Sequence, residues 1–216
     1  MKKLIPFLFA ALLFASCQKD PDLDKLDNDF VVFTNYDKNT NFGVFSTYYV
    51  PDSVLLISSS AKAEYWTDAN ADQIINTFKA QMNARGYVYT DNKEDADLGL
   101  QISYIESTNY FYDYTGSPYW WWGYPGYWYP GYWGTGWGDW YYPYPVIYSY
   151  SVGSLLTEMV DLTKNPTPGS KEKLPVVWTA YMSGLLSGNS QFNMQLTVRA
   201  IEQAYAQSSY IKTSAK

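Results

Sequence analysis

Apolar positions along the chain follow two periods. In "FVVFTNY", beginning at Phe30, and "VFSTYYV", beginning at Val44, β-branched and aromatic residues dominate short runs separated by the polar "DKNTNFG". Such runs predict two strands. The pattern then lengthens. In "TDANADQIINTFKAQMNARGY", Ala71, Ile74, Ile75, Phe78 and Met82 recur at helical spacing, with Thr67 or Asp68 as N-cap and Gly86 as the stop. "DLGLQISYIE" returns to period two, setting Leu98, Leu100, Ile102 and Tyr104 against Gly99, Gln101 and Ser103, which predicts a third strand with one buried face. Val146, Tyr148, Tyr150 and Val152 alternate as a fourth strand, "SLLTEMVDL" resumes after Gly153 as a fifth, and "LPVVWTAYMSG" forms a sixth beyond the turn-rich "NPTPGSKEK". A closing helix aligns Met194, Val198, Ile201 and Tyr205, with Asn189 or Ser190 as its cap. These elements predict one α+β domain over residues 30–211: a two-layer sandwich with a mainly antiparallel sheet of about six strands and both helices on one face.

Between the third and fourth strands neither period applies. Residues 110–145 form an insertion that carries seven of the nine tryptophans, and from Pro118 to Pro145 the only charged side chain is Asp139. The pentapeptide Tyr-Pro-Gly-Tyr-Trp occurs twice in tandem, at Tyr124–Trp128 and Tyr129–Trp133. Pro-Gly suits the centre of a type II turn, because proline sets φ and glycine accepts a positive φ, so each copy predicts a turn flanked by rings. Area makes this insertion the candidate binding element. An aromatic side chain buries about 150–250 Å², and soluble monomers rarely expose apolar patches beyond a few hundred Å².

The N-terminus supplies an address. "MKKLIPFLFAALLFASC" places two lysines before an unbroken apolar run from Leu4 to Phe14, the pattern of an export signal, and ends in Phe14-Ala15-Ser16-Cys17. Eleven apolar residues fall short of the ~20 a spanning helix needs. The small residues before Cys17 and the thiol itself resemble a bacterial lipobox, and Cys17 is the only cysteine. The expectation is a signal peptide over residues 1–16 and membrane attachment through a lipidated, palmitate-bearing Cys17, with an acidic tether over 17–29. Gln18 follows the cysteine in place of a retaining Asp, which favours the outer membrane, on its periplasmic face or the cell surface.

Composition narrows the chemistry. Histidine is absent, which removes the commonest general base and, with a lone cysteine, the usual metal sites and any internal disulfide. A net charge of −6 and an insertion without Lys or Arg argue against nucleic acid, whose binders need a cationic groove. No cofactor motif occurs. "GTGWG" (134–138) lacks the Lys and Ser/Thr of a phosphate loop.

In order, "YDKNTNFGVFSTYYV", a helix ending "ARGY", "DADLGLQISY", the Trp/Gly/Tyr-rich insertion, "VGSLLTEMVDL" and "PVVWTAYMSG" resemble a family of Gram-negative envelope lipoproteins defined only as a domain of unknown function. The resemblance spans roughly Asp29 to Ile211. It implies an envelope location and an α+β fold and supplies no activity. Thr179 stands where the resemblance implies an arginine after Trp178.

The reading that follows is a non-catalytic, lipid-anchored envelope protein. Its expected ligand is a glycan or another envelope component, held by Trp120, Trp121, Trp122, Tyr127, Trp128, Tyr132, Trp133, Trp137 and Trp140. Indole and phenol rings offer flat apolar faces edged by N–H and O–H groups, which matches the faces and hydroxyl rims of sugars. Three alternatives stay open: rings that pack on the protein's own sheet, rings that enter the membrane interface, and a glycosidase built on Glu106, Asp113 and Asp139.

Overall fold

The computed structural model describes residues 30–58, 64–106, 140–144, 151–164, 174–186 and 192–214. Nine strands and two helices occur among them. In chain order these are β1 (Val31–Tyr36), β2 (Thr47–Tyr49), β3 (Val54–Ile57), β4 (Glu64–Trp66), α1 (Ala69–Ala84), β5 (Val88–Tyr89), β6 (Leu98–Ile105), β7 (Trp140–Tyr141), β8 (Ser154–Asp161), β9 (Leu174–Ser183) and α2 (Met194–Gln207). The sheet runs β1-β9-β8-β6-β2-β5. Beyond β6 it divides: β2 pairs with its start at Leu98–Gly99 and β3 with its end at Ser103–Ile105, while β4 flanks β3.

The long ladders are antiparallel, β1 on β9, β9 on β8 and β8 on β6. The pairings that span α1, namely β2 with β5, β2 with β6 and β3 with β6, are parallel. Parallel neighbours require a long crossover, and α1 provides it. The expected α+β architecture with two helices is therefore present, in a sheet more mixed and with more strands than the periodicity indicates. The additional strands β3, β4, β5 and β7 have only two to four residues each, too few for a period to register. Of the expected fourth strand, residues 146–150 lie outside the described residues, and Val152 sits in a turn closed by Gly153 at φ 78°.

Helix α1 buries Ala71, Ile74, Ile75, Phe78 and Met82, the predicted face, and Asp68 caps it by accepting from the Asn70 and Ala71 N–H groups. Gly86 follows the helix at φ 89°, a conformation that suits glycine and ends the coil. Helix α2 is rotated from expectation. Its buried residues are Thr197, Ala200, Ile201, Ala204 and Tyr205, with Met194 and Val198 half-buried at the rim. Its cap is Asn193, which accepts from Gln195 and Leu196 N–H. Asn189 and Ser190 lie outside the described residues.

Both helices pack on one face of the sheet. Leu98, Leu100 and Ile102 from β6, Leu155 and Met159 from β8, and Trp178, Ala180 and Met182 from β9 meet Phe78 and Tyr205 there in a continuous core. Trp178 is wholly buried, and its indole N–H donates to Ser208 Oγ at 2.9 Å just past α2.

Candidate functional site

Strand geometry sends alternate residues of β6, β8 and β9 to the face away from the helices. The predicted exposure of that face in β6 is corrected here, because Gly99, Gln101 and Ser103 are buried as fully as Leu98 and Leu100. All eight residues of β8 are buried as well. A strand covered on both sides normally reads as a continuous apolar run. These strands instead carry a polar residue at mid-length.

Register aligns those residues. Asn35 on β1 lies opposite Thr179 on β9, Thr179 opposite Glu158 on β8, and Glu158 opposite Gln101 on β6. The result is a polar row across four adjacent strands, set among Leu55, Ile57, Ile105, Leu156 and Val160. Gln101, Glu158 and Thr179 are each 0 % exposed. Gln101 Nε2 donates to Ser103 Oγ at 3.4 Å, extending the row along β6. At the end of β8 the Tyr181 hydroxyl accepts from the Ser151 backbone N–H at 2.8 Å and shares hydrogen bonds with the Ser151 and Ser154 hydroxyls at 3.0 Å each.

The end of the aromatic insertion meets this face. Trp140 and Tyr141 form β7, which pairs in parallel with Leu174 and Pro175 at the start of β9. Three residues on, the Tyr144 hydroxyl donates to Thr179 Oγ1 at 3.4 Å, and the Tyr142 ring stands edge-on to Tyr144 with centroids 5.9 Å apart. Tyr142 is buried. The last residues of the insertion, 140–144, thus join the sheet at the polar row.

Of the expected binding residues, the structure places the backbone of Trp140 in β7. Trp120, Trp121, Trp122, Tyr127, Trp128, Tyr132, Trp133 and Trp137 lie outside the described residues, as do Cys17, the signal peptide and the tether. Glu106 is exposed just past β6, where its N–H donates to the Ile57 carbonyl at 2.9 Å. Asp113 and Asp139 are outside the described residues. Burial, and then the Glu106 carboxylate, raise the Tyr104 phenol above its ordinary value. Among the described residues, no group of His, Cys, Asp and Glu is arranged to hold a metal ion. No helix among them is long and apolar enough to cross a membrane.

Sequence reasoning missed Glu158, Gln101 and Thr179. A usable signal was present. "SLLTEMVDL" holds a carboxylate between Leu155 and Met159, and ionisable residues are rarely buried without compensation, so a mid-strand acid inside an apolar run marks a special position.

Comparison with known proteins agrees with this architecture. A crystal structure of a DUF4136 family protein from Bacteroides thetaiotaomicron VPI-5482 is similar, with a TM-score of 0.77 and 50% identity over 86% of this chain and 99% of that one. The PelC dodecamer from Paraburkholderia phytofirmans aligns at a TM-score of 0.39 and 12% identity, over 85% of this chain and 98% of that one. No curated protein matches. The family "Domain of unknown function (DUF4136)" matches residues 32–208, nearly all of the folded domain, and the chain belongs to it.

Proposed function

We propose that this chain is a lipid-anchored, non-catalytic protein of the cell envelope that binds a glycan or another envelope component through its Trp/Tyr insertion. The observation that carries the reading is the mounting of the insertion: β7 pairs with β9, and Tyr144 reaches Thr179 on the polar row. A recognition element fixed to a rigid sheet loses less conformational freedom on binding than a free loop does. Its rings supply stacking faces, and their N–H and O–H groups supply the directional contacts a sugar needs. The lipobox at Cys17 supports attachment to the outer membrane, where peptidoglycan and surface polysaccharides lie within the tether's reach of ~20 Å.

Two measurements test the two halves. Cells fed radiolabelled palmitate should label the wild-type chain and not Cys17→Ala; an unlabelled wild type refutes the anchor. Titrating the detergent-purified chain with envelope polysaccharide fragments should change tryptophan fluorescence, and Trp137→Ala together with Trp133→Ala should weaken the response. Silence toward every fraction refutes glycan binding.

A second reading has its own support. Tyr142 is buried and Tyr144 bonds to the sheet, which supports a reading in which the insertion packs on its own domain. Replacing Ser117–Tyr144 by a short Gly/Ser linker should then lower stability by several kcal/mol through lost apolar burial. An unchanged melting temperature removes this reading.

A further inference from the structure

A cleft of about 540 Å³ opens on the helix side of the domain, between the end of β1, the short 3-10 turn Phe42–Val44 and the C-terminal tail. It lies across the sheet from Thr179 and Tyr144. Its floor is aromatic: Tyr36 stacks on Tyr210 with centroids 3.8 Å apart and planes 24° apart, and Phe42 tilts toward both at 6.4 and 5.5 Å. The walls are tied together. Thr213 N–H donates to the Arg85 carbonyl at 3.2 Å and Ser214 N–H to the Gly43 carbonyl at 3.0 Å. Gly43 keeps the wall thin, because a Cβ there would come within 2.5 Å of Ser214 Oγ.

Two donors border the floor, the Asn41 amide and Lys212. Asn41 uses its side-chain oxygen to accept from Gly43 N–H at 3.1 Å, which leaves its amide NH2 for another partner. Lys212 is exposed and forms no ion pair among the described residues, in a chain whose net charge is −6. Asp37, the carboxylate nearest to Asn41 in sequence, is engaged by Asn39 N–H, the Asn39 amide and the Thr40 hydroxyl. A bare inorganic anion would have no use for the ring floor, and a neutral sugar would leave the cation unmatched. The combination fits a ligand with an apolar ring face and a carboxylate at its edge.

We propose that this cleft binds a uronic-acid residue of an acidic polysaccharide, the sugar face lying on the outer face of the Tyr36–Tyr210 stack and the carboxylate on Lys212 and Asn41. The residues that line this cleft all lie outside the 110–145 segment of the sequence, and the proposal does not rest on the reading of that insertion. The test is calorimetric titration of the full chain in detergent with trigalacturonate, maltotriose and inorganic phosphate. Trigalacturonate binds, maltotriose binds at least about tenfold more weakly, and phosphate does not compete. Lys212→Gln, an exposed change, weakens trigalacturonate by about tenfold or more and flattens its salt dependence. Tyr36→Leu weakens both sugars. Trp137→Ala leaves the site intact, which separates it from the insertion. Equal binding of the neutral sugar, full competition by phosphate, no heat with trigalacturonate, or unchanged affinity in Lys212→Gln each overturns the proposal.

Discussion

The two faces of the sheet are buried by different chemistry. Against the helices, Phe78, Trp178, Tyr205, Met159 and Met182 close a core that is almost wholly apolar. The Tyr48 and Tyr87 hydroxyls there donate to Asn83 and to the Phe42 carbonyl, while among the described residues Thr157 Oγ1 and Tyr205 Oη are buried without a hydrogen bond. On the opposite face Gln101, Thr179, Ser154 and Tyr181 are also buried, yet each has a hydrogen-bond partner. The helix face holds the domain together by area, which is non-directional. The other face depends on directed contacts that specify where β7 and Tyr144 sit, and it is there that the aromatic insertion joins the domain.

Substitutions can break this contrast, and the largest effect belongs to the apolar side. Trp178→Ala should cost about 3–5 kcal/mol in chemical denaturation, since it opens a cavity under both helices and strands the Ser208 contact. A loss below 1 kcal/mol would mean the core is not shared in this way. On the other face, Tyr181→Phe removes one hydroxyl that joins Ser151 to Ser154, and the expected cost is about 0.5–1.5 kcal/mol because the part-buried Ser151 N–H and the buried Ser154 hydroxyl each lose a partner.

The sharpest comparison uses one chemical change on both faces. Thr179→Val takes the acceptor from Tyr144 and should destabilise by about 1 kcal/mol. Thr157→Val, at the neighbouring row on the helix side, removes a hydroxyl without a hydrogen bond among the described residues and should leave stability equal or raised by up to about 1 kcal/mol. Equal losses at both positions would erase the distinction between the faces. A smaller effect is at the helix start: Asn193→Ala should cost about 1 kcal/mol by uncapping α2.

Titration adds the weakest handle. Hydrogen bonds from the Trp66 indole and then from Ala71 N–H hold the Asp68 carboxyl below its ordinary value of 3.8. A lowered folded value means the charged cap favours the fold above that pH, and its contribution fades as pH falls below it. At the other extreme, burial raises the Tyr48, Tyr87 and Tyr205 phenols above 10.0. Their contribution is complete below pH 10.0 and is lost as the pH rises beyond it, because only the unfolded chain ionises freely. Melting curves across pH should narrow at both ends, and Asp68→Ala should flatten only the acid limb.

The cheapest structure to read was local. Residues Ala71 to Met82 declare their helix through a spacing that the backbone itself imposes, and Asp68 and Gly86 punctuate it for reasons confined to a single turn. The long strands β6, β8 and β9 declare themselves by β-branched and apolar content. The three-residue β2 belongs to the predicted "VFSTYYV" run, whereas β4, β5 and β7 exist only because a neighbour supplies the ladder.

Two facts belonged to tertiary structure alone. Whether Gln101 and Ser103 face solvent cannot be read from alternation, since period two reports that two faces differ and not that one is wet. The polar row is likewise a matter of register, which no single strand contains: Asn35, Thr179, Glu158 and Gln101 are separated by as many as 144 positions and become neighbours only when four strands pair. The residues themselves determined the helices, the fold class, the lipobox pattern and the aromatic insertion, because those depend on contacts a few residues apart. Pairing across the sheet decided the row and the mounting of the insertion, because hydrogen-bonded register links distant segments that carry no local mark of one another.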